Sequence, residues 1–383
     1  MDRQTLEKQY ELWLTESEKT LNIPEPFLKL DRGNSEISSV EKMIDEIRRN
    51  TVRKRYGKIV SSSSSMPMVS VIMPTYNRKD FIAESVGSVL NQTFKDFSIL
   101  VINDGGNVDV EDILRDFHDD RIEYFKIPHK GLSGALNTGL WASGSKYISY
   151  LDDDDFYYPD HLETLVTFLE KENLDVAYSD TCCVRQEKRD GLYVTTSKEI
   201  YSRDVVPSMF LVRNHILAPL ALMHRRDCLK ATGYFNEKLP VVMDWELWAH
   251  MAQKFKFSHV KHVTGEYRVR TDKTNISSNR LKMKVYSDMV RKYLMDKYIL
   301  NKLDDFMKQE NYAETAELLR IYIGEYPFHV KIHFIQALCH FRARNFYSAF
   351  KSCNRGINYF MQPFLDEINY LGQELFGYFR GRK

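Results

Sequence analysis

From Val69 onward the chain alternates short apolar runs with helically spaced ones. The runs VSVIM (69–73), FSILVI (97–102), RIEYFKI (121–127), KYISYL (146–151) and LDVAYS (174–179) have the length and β-branched or aromatic content of strands. Between the first two, DFIAESVGSVLNQ sets Phe81, Ile82, Val86, Val89 and Leu90 on one helical face, with Asp80 available as its cap. This alternation predicts an α/β domain with a largely parallel sheet. Ligands of such sheets bind beyond the carboxyl ends of the strands. Three polar clusters fall there: PTYNR after the first strand, NDGG after the second, and the acidic run in YISYLDDDDFYYPD.

On either side the pattern changes. Residues 1–60 are charged and predict a helical N-terminal extension, with one amphipathic piece near 4–20 and another where Val40, Met43, Ile44 and Ile47 recur at helical spacing. A Ser-rich linker, 61–66, separates it from the α/β domain at 67–290. Residues 291–383 turn helical again, and Asn311-Tyr312 returns as Asn345-Phe346 at an offset of 34, the tetratricopeptide period; a plain helical appendage is the alternative. Two such copies bury little alone, so an all-α, TPR-like region is expected to dock on the α/β domain, on a second copy of the chain or on a protein partner.

The composition is that of a folded protein, 43% hydrophobic and 13% aromatic over 383 residues. Lys plus Arg number 54 against 53 Asp plus Glu, which excludes nucleic-acid binding by bulk charge. One local exception is RRNTVRKRYGK (48–58), a candidate for peripheral contact with an anionic membrane or polymer, against the plainer reading of a solvated helix end. The five cysteines, Cys182, Cys183, Cys228, Cys339 and Cys353, form no CxxC pair, fit neither a disulfide framework nor a zinc site, and point to a reducing cytoplasm. No signal peptide or bilayer-length run is visible, and ILAPLALM (216–223) reads as buried core.

Four consecutive carboxylates, Asp152 to Asp155, admit three readings. A solvated acidic turn before the helix that begins near Pro159 is the simplest. An EF-hand fails, because the sixth residue from Asp152 is Tyr157 where that loop needs Gly. The third is a site for a hard divalent cation bridging carboxylates to phosphates.

The motifs VSVIMPTYNR, FSILVINDGG, HKGLSGALNTGL, YISYLDDDDFYYPDHLE, TGYFNEKLPVVMDWELW and GEYRVRTDKTNIS, in this order from about Val69 to Ser278, resemble family 2 glycosyltransferases of the GT-A (Rossmann-like, nucleotide-sugar-binding) fold. The resemblance implies that Pro74, Thr75 and Tyr76 line the base and ribose of a nucleotide-sugar, with Arg78 of the same cluster among the nucleotide-binding residues and Asp104 accepting a hydrogen bond from the base. An aromatic face beside a carboxylate acceptor suits a uracil ring; loop packing for Tyr76 and a turn role for Asp104 are the plainer readings. It further implies that Asp152 and Asp153 face ribose and donor sugar, and that Asp154 binds the Mn²⁺ or Mg²⁺ bridging the diphosphate. Asp155 is then expected to help start the helix after Pro159.

The same resemblance makes Asp244 the general base, although Met243 stands where an acidic residue usually precedes it. Glu246 is the rival, and helix capping the structural alternative for Asp244. Lys130 and the pair Arg268 and Arg270 are candidate phosphate contacts, Lys130 being equally explicable as a surface lysine. Many relatives carry His at the position of Arg270, and Arg cannot ligate a metal. His129, His224, His259 and His262 are taken as structural, and Trp245 and Trp248 as core, with an acceptor platform the alternative for Trp245.

The expected activity is inverting transfer of a sugar from a nucleoside diphosphate, uridine diphosphate foremost, to a hydroxyl of a glycan, lipid-linked or polymer acceptor. Donor selectivity is expected in loops such as 180–215. A nucleotidyltransferase is disfavoured because the first strand leads into PTYNR and no Gly-rich phosphate loop. An inactive scaffold acting through its helical repeats is disfavoured by the intact carboxylates.

Overall fold

The computed structural model describes Val52–Arg55 and residues 66–298, apart from 205, 206, 212, 273–278 and 296, together with isolated positions between 316 and 352. The chain separates into two compact units, Met1–Val290 and Arg291–Lys383.

The first unit is built on a ten-stranded sheet. In chain order its strands are β1 (Val52–Arg55), β2 (Val69–Thr75), β3 (Phe97–Asn103), β4 (Ile122–Lys126), β5 (Tyr147–Tyr150), β6 (Phe156–Tyr157), β7 (Val176–Arg189), β8 (Leu192–Tyr201), β9 (Leu222–Arg225) and β10 (Phe257–Arg270). They lie side by side as β1-β4-β3-β2-β5-β9-β7-β10-β6, with β8 paired to β7. The helices are α1 (Ile82–Leu90), α2 (Glu111–Arg115), α3 (Gly131–Ala142), α4 (His161–Lys171), α5 (Cys228–Thr232), α6 (Met243–Ala252) and α7 (Arg280–Met295).

Every residue of β2 and β3 is buried, as strands covered on both faces require. On one face Val69, Val71 and Met73 join Ile82, Val86 and Val89 of α1 in a single core. On the other, α3 packs on β2 and β3. There Gly139 lies so close that an added Cβ would sit 2.5 Å from Ile72 Cγ2, so the helix can approach only where a side chain is missing.

The sheet is mixed, which corrects the expectation of a largely parallel one. β4, β3, β2 and β5 run parallel, as do β7 and β10. Between these groups β9 is inserted antiparallel to both β5 and β7, His224 facing Ile148 on one side and Val176 on the other. The strand is drawn from the end of the apolar run at 216–223. Segment 180–215 is largely a hairpin: β7 turns at Asp190 (φ 50°) and Gly191 (φ 84°) into β8. Two successive left-handed residues are what a two-residue hairpin turn needs.

Two smaller expectations also fail. Val52–Arg55 is an edge strand antiparallel to β4 and so not part of a helical extension. Asp80 does not cap α1, whose N-cap is Phe81 with no side-chain hydrogen bond. The amphipathic pieces near 4–20 and 40–47 and the Ser linker at 61–65 lie outside the described residues. In the second unit the described positions from 316 to 352 are helical, and the rest of the 34-residue recurrence also lies outside them. There the Gln336 amide donates to the Ala316 carbonyl and accepts from the Ser352 hydroxyl, each at 3.0 Å.

Candidate active site

Parallel pairing of β3, β2 and β5 brings the three polar clusters to one end of the sheet. The Asp104 amide donates to the Thr75 carbonyl at 2.9 Å, and that of Leu151 to Ile72 at 3.1 Å. Pro74 is buried within β2, in register with Ile102. The Thr75 hydroxyl donates to Asp153 Oδ2 at 2.6 Å, joining the first cluster to the acidic run. Asn77, at φ 51°, accepts from the Asn107 and Val108 amides at 2.7 and 3.2 Å, joining the first cluster to the second. Gly106, at φ 88°, makes that junction possible, since a Cβ there would lie 2.2 Å from Asn77 Oδ1.

Asp104 is 3% exposed. Its Oδ1 accepts from the Lys130 amide at 2.7 Å and its Oδ2 lies 2.8 Å from His129 Nδ1. Burial raises its pKa, opposed by the Lys130 and Gly131 amides and by His129. Asp104 therefore fastens the start of α3, and Lys130 contributes its backbone N–H. Tyr76, 47% exposed, stacks on the His129 ring with centroids 4.3 Å apart. His129, set aside as structural on sequence, thus stands beside the proposed base-binding residues. Its place directly after β4 was the available signal.

The acidic run divides its labour. Oxygens of Asp152, Asp154 and Asp155 gather within 4.8 Å of one another, whereas Asp153 is turned to Thr75 and Arg78. Asp154 Oδ2 receives two guanidiniums, Arg78 Nη1 at 2.8 Å and Arg270 Nη1 at 2.6 Å. The Arg270 side chain is wholly buried, its guanidinium carbon 3.7 Å from the Phe81 ring centroid and 5.2 Å from that of Tyr193 on β8. Asp155 does not start α4, as had been expected. Its Oδ1 accepts from the Arg268 amide of β10 at 2.9 Å, and among the described residues nothing hydrogen-bonds its buried Oδ2. The Arg268 guanidinium is engaged by Glu84 and Glu266.

Burial raises the Asp152 pKa to about 7, aided by Asp154 and Asp153 and opposed by Arg78. Burial likewise lifts Asp153 and, well above the ordinary value, Asp155. Three clustered carboxylates with one orphaned oxygen suit a hard cation such as Mg²⁺ or Mn²⁺, which prefers oxygen ligands.

Asp244 lies in the first turn of α6 behind Val242, which sits at φ 55° in the left-handed region, costly for a β-branched residue. Asn214 Nδ2 donates to Asp244 Oδ2 at 3.0 Å. Burial raises the Asp244 pKa, opposed by the Trp245 amide and Asn214. Its charge also reaches Asp152, whose pKa it helps to raise. Asn214 was not singled out on sequence, because nothing local marks a lone Asn in a long connection.

Glu246 points elsewhere, 1% exposed. Trp245 and Trp248 are core, Trp245 donating to the Phe210 carbonyl at 2.6 Å, so neither is a platform. His224, His259 and His262 are held by Tyr150, by Asp180 and Asp204, and by Asp160. Cys182, Cys183 and Cys228 are unpaired and buried. Among the described residues no helix is long and apolar enough to cross a membrane.

Residues 70–227 match the model of glycosyl transferase family 2. An uncharacterized glycosyltransferase of Rickettsia prowazekii is 28% identical over 272 residues, 66% of this chain and 83% of its own length. A hyaluronan synthase of Pasteurella multocida is 24% identical over 72% of this chain and 30% of its own. Among solved structures, S. aureus TarS 1-349 in complex with UDP aligns with a TM-score of 0.45 and 16% identity, covering 77% of this chain and 91% of that one. The segment 70–227 thus matches glycosyl transferase family 2, and the mixed α/β sheet with polar clusters at its strand ends is that of a GT-A fold.

Proposed function

We propose that the protein transfers a sugar from a nucleoside diphosphate, uridine diphosphate being the expected carrier, to an acceptor hydroxyl with inversion at the anomeric carbon. The observation that carries this reading is a half-buried carboxylate, Asp244, held by Asn214 at the start of α6, raised in pKa by desolvation and within electrostatic reach of Asp152 in the cluster of Asp152, Asp154 and Asp155. A base must face the group that leaves, and a raised pKa makes a carboxylate a better proton acceptor near neutrality.

In this reading Tyr76, His129 and Asp104 receive the nucleobase, while Pro74 and Thr75 shape the floor beneath the ribose. Asp152, Asp154 and Asp155 hold a divalent cation, Mn²⁺ or Mg²⁺, which when bound offsets the charge of the departing diphosphate. Asp153, fixed by Thr75 and Arg78, faces ribose and donor sugar. Asp244 takes the acceptor proton as the oxygen bonds to the anomeric carbon. The bond to the β-phosphate oxygen breaks in the same step, its electron pair leaving with the nucleoside diphosphate. We assign this chemistry to residues 67–290, and to the helical region from 291 a role in holding a glycan, lipid-linked or polymer acceptor or a second subunit.

The test is incubation of the full chain with a panel of nucleotide-sugars, Mn²⁺ and simple acceptors, followed by product analysis. Release of nucleoside diphosphate with an inverted glycosidic bond in the product is expected. Release of sugar 1-phosphate in place of nucleoside diphosphate would make the protein a nucleotidyltransferase, and a retained configuration would remove Asp244 from the role of base in a single displacement.

A further inference from the structure

Two arginines already occupy the acidic cluster that the preceding reading gives to a cation, and they are held differently. Arg270 is locked: its side chain has no exposure, it lies against Phe81 and Tyr193, and besides Asp154 Oδ2 it reaches the Asp154 carbonyl at 3.3 Å. Arg78 is looser, with 27% of its side chain exposed, and it spans Asp153 and Asp154. Both end on the same Asp154 oxygen, so two charged donors fill its two lone-pair directions. A cation approaching that oxygen must displace an arginine or bind under the repulsion of both.

We propose that Arg78 and Arg270 form a resident counter-charge that makes cation binding conditional on the donor diphosphate. The inference rests on the cluster being the cation site. Before the donor arrives, four carboxylates, Asp152 to Asp155, are partly neutralised by two resident positive groups, and a divalent ion gains little by entering. A diphosphate brings its own negative charge and oxygen ligands. Arg78, the exposed member, then has a better partner in a phosphate, since guanidinium pairs with phosphate through two parallel hydrogen bonds. Its departure frees Asp154 Oδ2 on one side for the ion. Arg270, clamped by two rings, stays and keeps Asp154 oriented. Donor and metal therefore enter together, and an idle enzyme does not accumulate metal.

The experiment measures Mn²⁺ affinity directly, by titration of the full chain with electron paramagnetic resonance of free Mn²⁺, without and with saturating UDP. Wild type is expected to bind Mn²⁺ weakly alone and about tenfold or more tightly with UDP. Arg270→Gln and, independently, Arg78→Gln should each strengthen nucleotide-free Mn²⁺ binding and shrink the gain from UDP, with thermal unfolding confirming that each variant is folded. Arg78→Gln should also weaken UDP binding measured without metal, whereas Arg270→Gln should not. Unchanged or weaker Mn²⁺ binding in both folded variants overturns the proposal. Should wild type bind UDP equally well with and without Mn²⁺ and show no Mn²⁺ binding in either state, the cation site itself is wrong, a different failure.

Discussion

Glu246 and His250 hydrogen-bond across one turn of α6 at 3.0 Å, both side chains almost wholly buried. Two residues earlier on the same helix, Asp244 stands beside Asn214 and within electrostatic reach of Asp152. Helical geometry separates the two acids by roughly 200°, so they cannot share a task. Asp244→Asn is therefore expected to reduce turnover by a factor on the order of 10² to 10⁴ while nucleotide affinity stays nearly constant. Glu246→Gln should lower the melting temperature and leave turnover of the folded fraction close to wild type. Steady-state kinetics alongside calorimetric nucleotide titration separates the two, and an inactive but stable Glu246→Gln protein would transfer the assignment.

Asn214 donates to the charged form of Asp244 and so holds its pKa below what burial alone would give. Removing the donor in Asn214→Ala should raise that pKa further. A base works deprotonated, so the acidic limb of the pH–rate profile should move to higher pH, with the plateau reached later. An unmoved acidic limb with a uniformly lowered rate would show that Asn214 serves only to support its loop.

Asp152 carries a pKa of about 7 against an ordinary 3.8, through burial and its acidic neighbours. The folded, cation-free protein thus holds a proton that the unfolded chain releases near pH 4. Stability from this source is complete below that pH and is lost as pH rises toward 7. The melting temperature of wild type minus that of Asp152→Asn should fall across this window without divalent cation, and the fall should flatten when Mn²⁺ and UDP are supplied together. A constant difference would mean that the arginines already hold Asp152 ionised.

Gly106→Ala puts a methyl group where Asn77 Oδ1 now lies, at a backbone angle that Ala disfavours. A loss of about 1–3 kcal/mol is expected from urea unfolding. Nucleotide affinity should fall with it, because Asn77 must swing out. Unaltered nucleotide affinity would separate this junction from the base site.

The strand-end clusters were legible because a buried parallel strand needs a continuous apolar run, and the polar residues that follow it stand out. Five such runs marked β2, β3, β4, β5 and the start of β7. β9 and β10 were not legible: Leu222–Arg225 ends an apolar run, and in Phe257–Arg270 the buried positions themselves carry Thr264, Glu266, Arg268 and Arg270, polar side chains paired with groups from elsewhere in the chain. The turn at Asp190-Gly191 did carry a hairpin signal, but the flanking strand β8 is almost wholly exposed and lacks the apolar alternation that would have supported it. Asp244 was singled out through motif order, and it lies within electrostatic reach of Asp152. The direction of each Asp in the run was not legible, because it depends on Thr75, Arg78, Arg268 and Arg270, which come from separate parts of the chain.

The amide oxygen of Asn77 ties the loop after β2 to the loop after β3 through two backbone N–H groups. The two loops therefore behave as one mechanical part. If these loops hold the nucleotide as proposed, a change of nucleotide preference, whether by natural drift or in the laboratory, cannot proceed through one loop while the other keeps its shape. Grafting 74–78 without 104–108 from a relative should yield a poorly formed pocket, whereas exchanging both as a cassette preserves the junction and lets preference travel with it.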